Sequence, residues 1–161
     1  MIFYRSPASA GAAAGPSIRT IRTLTAVALT AYPAGAITYA FAPDGLPAFI
    51  IGFGLILVSL VAATPVLGSR LQRIVADESK QLDEMEMHLR QRALSWSYSV
   101  LSAALLLMVM YGAIAEDVGG WTPDSYEHWN GIFWGAFLYV TLLPATRLAW
   151  TMDAAEDADD D

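Results

Sequence analysis

Four apolar runs of 19 to 23 residues, Leu24–Ala42, Ala48–Leu67, Ala93–Ala115 and Trp129–Trp150, leave this chain few ways to fold. A helix rises 1.5 Å per residue, so ~20 residues cross the ~30 Å hydrocarbon core of a bilayer. Hydrocarbon offers the backbone no water, so each run must satisfy its own hydrogen bonds and reads as a helix rather than a core strand. The expected fold is an all-α integral membrane protein, a bundle of four transmembrane helices. Composition agrees: 55% of the 161 residues are hydrophobic and 16% charged, against about 25% charged in a soluble domain.

Charge sets the expected topology. With four spans, residues 1–18, the 68–92 loop and the 153–161 tail share one side, and all nine Lys and Arg fall in or next to these segments, Arg19 and Arg22 just before the first run and Arg147 close to the end of the fourth. Asp44, Glu116, Asp117, Asp124 and Glu127 face the other side without a base. Basic loops stay cytoplasmic, so the reading is N-in/C-in. The net charge of -7 is misleading as a guide to partners. The acidic tail and the opposite side hold most of the acids, leaving nine bases against five acids beside anionic headgroups. Eight arginines to one lysine, with abundant alanine, point to a GC-rich bacterium and its inner membrane. Leu24–Tyr32, Pro33 and Ala34-Gly35-Ala36 also resemble a cleavable signal peptide. Apolar character resumes at Ile37, however, so an uncleaved first span is expected.

Several chemistries lack their residues. There is no cysteine for disulfides, thiolate metal sites or thiol nucleophiles. A membrane haem bundle needs histidine at depth, whereas His88 and His128 lie outside the runs. Apart from Arg147 near one boundary, no run carries a charge, so the ionisable residues that mark proton paths are missing. The small four-helix multidrug exporters, with their membrane carboxylate, do not fit. A nucleic-acid role would need a basic patch on a chain that is acidic overall. No cofactor and no catalytic or metal residues are expected. Asp83, Glu84, Glu86 and His88 read as a solvated helix surface, with Glu84–His88 and Glu86–Arg90 in favourable i,i+4 order. Asp124, Glu127 and His128 read as a wet interfacial loop.

Residues 69–111 contain neither Gly nor Pro, and Leu71, Val75, Leu82, Met85 and Leu89 form an amphipathic pattern. One straight helix over 70–92 would stand ~35 Å tall, yet both ends must return to the membrane. A fold-back is expected at Ala76–Lys80, with Asp77 or Ser79 as N-cap. The third span then begins as a cytoplasmic helical extension near Lys80 that carries Asp83, Glu84, Glu86, Arg90 and Arg92.

What remains is packing. Gly131 and Gly135 form GxxxG, Ala31 and Gly35 repeat its spacing, and Ser95, Ser99 and Ser102 line one face suited to hydrogen bonds across helices. Pro33, Pro65 and Pro144 are expected to kink their helices and free carbonyls. Trp129, Phe133, Trp134 and Phe137 crowd one end as an aromatic face for lipid or a partner.

Leu82-Asp83-Glu84, Glu86, Arg90, Arg92-Ala93 and Ser97-Tyr98 lead directly into an apolar span. This stretch of about 20 of the 161 residues resembles one in uncharacterised small prokaryotic multi-pass inner-membrane proteins, where "LDERE" and an Arg/Lys-Ala pair precede a membrane helix. Met85 stands where those proteins usually have Arg. The resemblance implies a multi-helix inner-membrane fold and no particular activity. The expected function is a non-enzymatic accessory or scaffolding subunit. Its partners would be membrane lipid and another membrane-protein subunit or a second copy. The alternative is a small carrier or channel for a neutral or lipophilic solute, using Pro33, Pro144 and the serine face.

Overall fold

A computed structural model describes residues 16–41, 46–76 and 83–156, with side chains described as far as Met152. All regular structure among the described residues is helical: α1 (Ile18–Phe41), α2 (Leu46–Leu67), α3 (Arg70–Ala76), α4 (Glu84–Ala115) and α5 (Tyr126–Glu156). Four of them (α1, α2, α4 and α5 as far as Met152) are long and apolar enough to cross a membrane. Each starts earlier than its apolar run, and three of those starts carry polar caps. Ser17 Oγ accepts from the Thr20 amide at 3.2 Å, Asp83 Oδ1 from the Glu84 amide at 2.7 Å, and Ser125 Oγ from the His128 amide at 3.3 Å. Such side chains satisfy donors that a helix start leaves open.

α5 meets all four of the other described helices. α1 packs extensively on α2 and along α5, while α2 and α5 scarcely touch each other. The core, with Ala28, Ala63, Val66, Leu142, Ala145 and Leu148, lies between these three helices. Leu71 and Ile74 of α3 close it at one end. Contacts put the start of α1, the end of α2, α3, the start of α4 and the end of α5 together. Arg22 reaches the Ala149 carbonyl, and Arg70 lies 3.0 Å from Glu86. We call this the terminal end, and the opposite one, with Phe41, Leu46, Ala115 and Tyr126, the hairpin end. Arg19, Arg22, Arg70, Arg73, Arg90, Arg92 and Arg147 all sit in the terminal half. Glu116, Asp117, Asp124 and Glu127 occupy the hairpin end. Arg5, Lys80 and Asp44 lie outside the described residues.

Pro33, Pro65 and Pro144 sit inside helices that continue past them. A helical proline leaves the carbonyl four residues earlier without its donor. For Pro33 that carbonyl is Leu29 O, and the Tyr139 hydroxyl of α5 donates to it at 2.6 Å. α4 ends in a Schellman motif. Gly119 takes φ +66°, the Gly120 amide donates to Ala115 O at 2.6 Å, and the Gly119 amide donates to Glu116 O at 3.3 Å.

The loop between the second and third spans differs from expectation in detail. α3 ends at Ala76 and a separate helix starts at Glu84, so the N-cap of α4 is Asp83 and the helix does not begin near Lys80. Asp77, Ser79 and the expected turn lie outside the described residues. Ser69, itself buried, accepts from the Gln72 amide and caps α3. Leu71 and Ile74 are buried together, Val75 and Leu89 are half-buried, and Met85 is 64% exposed. The apolar pattern across 71–89 therefore belongs to two short faces rather than one. Glu86 pairs with Arg70 across the two helices instead of with Arg90 on its own. Among the described residues no Glu84–His88 ion pair forms, and Arg90 Nε is buried without a hydrogen bond.

Candidate functional site

Three places carry the candidate residues: the α1 interfaces, the aromatic hairpin end and the free face of α4. The tightest contact is between α1 and α2. A Cβ on Gly35 would sit 2.7 Å from the Gly52 carbonyl oxygen and 3.0 Å from the Ile56 amide nitrogen. Both obstacles are backbone, so glycine alone permits this approach. Close by, the buried Ser59 hydroxyl donates to Ala28 O at 2.7 Å. Gly35 is thus a packing residue, and Gly52 and Ser59 are partners that no sequence motif marks. Ala31 is half-buried on the same helix.

The Gly131–Gly135 pair faces α1 more loosely. A Cβ at Gly131 would meet Ala36 at an ordinary 3.8 Å, whereas one at Gly135 would lie 3.0 Å from the Tyr32 ring. That ring fills the space left by Gly135, and the Tyr32 hydroxyl donates to Gly131 O at 3.0 Å. With Tyr139 donating to Leu29 O in return, α1 and α5 are joined by two tyrosine hydroxyls aimed at backbone carbonyls. Only Leu29 O would otherwise go unpaired, because Pro33 has no amide to offer it; Gly131 O lies within the α5 ladder and takes the Tyr32 hydroxyl as a second donor.

Because α2 and α5 both lean on α1 but diverge from each other, a groove of about 730 Å³ opens between them. Tyr32, Ala36 and Tyr39 of α1 form its floor. Phe49, Phe53, Ile56 and Leu60 line one wall, and Trp134, Phe137, Leu138 and Thr141 the other. Tyr126, Glu127 and Asn130 stand at its hairpin end. The expected aromatic face is therefore divided. All four side chains are exposed, but Trp134 and Phe137, edge-to-face at 5.8 Å, line the groove, while Trp129 and Phe133 lie outside it.

On the other side of α5, Phe41, Trp121 and His128 gather. His128 stacks on Phe41 at 6.0 Å and meets Trp121 edge-on at 5.1 Å. Its Nδ1 lies 3.0 Å from Asp124 Oδ1, outside hydrogen-bond geometry. This cluster lines a smaller hollow of about 290 Å³ that shares Tyr32, Ala36, Glu127 and Gly131 with the groove. Among the described residues no three His, Asp or Glu side chains converge as metal ligands.

Among the described residues, the serine face of α4 does not meet another helix. α4 touches α5 and α3, and its buried positions Ala93 and Ser97 mark the side turned to the bundle. Ser95 and Ser99 follow those residues by two positions, ~200° round the helix. Ser95, Ser99 and Ser102 are all exposed, and Ser99 Oγ donates to its own helix at Ser95 O. From Ser102 to Ile114 every α4 residue is exposed. Near the terminal end Asp83, Glu84 and Arg92 are exposed, and Glu86 and Arg90 half-buried. Arg147 stacks over Trp96 at 5.3 Å and joins α5 to α4. The acids in the first turn suit the positive end of the helix dipole.

Pro33, Pro144 and the serine face do not line a common passage. Pro33 borders the smaller hollow, Pro144 is buried in α5, and the serines point away from the bundle. Comparison with protein-family models, curated proteins and solved structures finds no match.

Proposed function

We propose that the chain is a non-enzymatic accessory or scaffolding subunit of a bacterial inner membrane that docks a partner transmembrane helix on the serine face of α4. The supporting observation is the direction of Ser95, Ser99 and Ser102, opposite the Ala93–Ser97 side that packs on α5. Lipid alone needs no small polar stripe. Small residues at four-residue spacing let helix backbones approach closely, and serine hydroxyls then bond across for about 0.6 kcal/mol each. The partner helix belongs to another subunit or to a second copy. In this reading the terminal end faces the cytoplasm, because the basic side chains gather there.

The absence of cysteine makes both statements testable with single introduced cysteines. Benzophenone-maleimide on Ser99→Cys in native membranes should give an adduct of one defined mass, a dimer or a heteromer, and Val61→Cys on exposed α2 should give none. Equal labelling at 99 and 61 would overturn the docking face. A membrane-impermeant maleimide applied to intact cells should reach Thr122→Cys and spare Ser17→Cys; the reverse would invert the topology.

A further inference from the structure

We propose that the groove between α2 and α5 is a binding site for a lipophilic amine, an amphiphile with one apolar body and a protonated nitrogen lodged at the hairpin end. The site is separate from the serine face of α4 and does not depend on it. Its volume of about 730 Å³ falls within the range of about 300–1,000 Å³ typical of pockets that enclose most of a small organic ligand. Phe49 and Phe53, stacked at 5.8 Å, form an apolar wall facing Trp134. Of the hydroxyls that line it, those of Tyr32, Thr64 and Thr141 are committed to backbone carbonyls, and Tyr39 adds one more. The body of the ligand therefore meets carbon almost everywhere.

Polarity enters at one end. Glu127 and Asn130 stand at the mouth beside the Tyr126 ring, offering a carboxylate, an amide and an aromatic face to a cation. Among the described residues no Lys or Arg lies at that end, while Glu116, Asp117 and Asp124 add to its negative field. An anionic head finds no counter-charge there. A phospholipid amine is disfavoured for the same reason, because its phosphate would face these acids without a basic partner. The ligand is thus an amine without phosphate, a solute dissolved in the bilayer rather than a bilayer lipid.

The full chain in phosphatidylcholine nanodiscs provides the test. The probes are a single-chain alkylamine brominated along its tail and the carboxylate of equal length, with Trp134 as the quenched reporter and Trp134→Phe identifying its share. The amine should quench saturably, with a half-saturation about tenfold below that of the carboxylate. Glu127→Gln, at an exposed position, should raise the amine value about threefold to fivefold and should not raise that of the carboxylate. Thr141→Phe, which fills the wall of the groove, should abolish saturation while the helical circular-dichroism signal is retained. Adding phosphatidylethanolamine should not compete. Quenching that rises linearly without saturating, equal half-saturation for both probes, indifference to both variants, or competition by phosphatidylethanolamine would each overturn the proposal.

Discussion

The α1–α2 hairpin and the half of α4 toward the hairpin end are both strongly apolar and are used in opposite ways. In the hairpin, Gly35 and Gly52 bring two backbones together and Ser59 crosses to Ala28 O. In α4, Leu105, Leu106, Leu107, Val109 and Met110 are all exposed, and Gly112 has open space around the position of a Cβ. Hydrocarbon solvates a leucine as well as a protein core does, so apolarity in a membrane does not draw helices together. Close approach and satisfied polar groups do. Sequence cues for association in this chain are therefore its small and hydroxyl-bearing residues, and their direction decides whether they serve the bundle or something outside it.

The sharpest way to break this contrast is to add one carbon on each side of it. Gly35→Ala should destabilise the detergent-solubilised protein by about 3 kcal/mol in SDS-driven unfolding followed by circular dichroism, since the new methyl meets backbone rather than a movable side chain. Gly112→Ala should be neutral or gain up to about 1 kcal/mol from helix propensity. Equal losses at the two positions would mean that α4 is as tightly packed as the hairpin. Next in size is Tyr139→Phe, which strips Leu29 O of the donor that Pro33 denies it; a loss of about 1–2 kcal/mol is expected in the same assay. Combining it with Pro33→Ala, which restores the backbone donor, should recover most of that loss. Gly135→Ala should cost about 1 kcal/mol, because the Tyr32 ring can shift, and Gly131→Ala should cost less still. At the bottom of the series, Glu86→Gln should change stability by less than about 0.5 kcal/mol, because the Arg70 side chain of the pair is 76% exposed. High salt should erase what effect there is.

Much of the fold is legible in the order of the residues. The four spans, their approximate limits and the gathering of basic side chains at one end follow from run length and charge placement. Gly35 stands out as a packing residue because its spacing from Ala31 is a known close-approach pattern. Gly52 and Ser59 do not, because α2 is apolar all round and seven-residue spacing within such a run has no contrast to reveal it. Ser97, the serine of α4 that is buried, is hidden among exposed neighbours by the same lack of contrast. The groove leaves no signal at all: its floor, walls and mouth come from three helices, and it exists because α2 and α5 diverge.

The number of spans and the polarity of the molecule are one-dimensional properties. The thickness of hydrocarbon and the cost of placing charge in it set both, so chain order is enough to read them. Which faces meet is different, and it emerges when the helices pack: Tyr139 with the carbonyl freed by Pro33, Gly35 with Gly52, and the α4 serines with no other helix among the described residues. In a soluble protein, water would have written those choices into the apolar pattern. In a bilayer both sides of a helix can be equally greasy, and the inside is defined by fit alone.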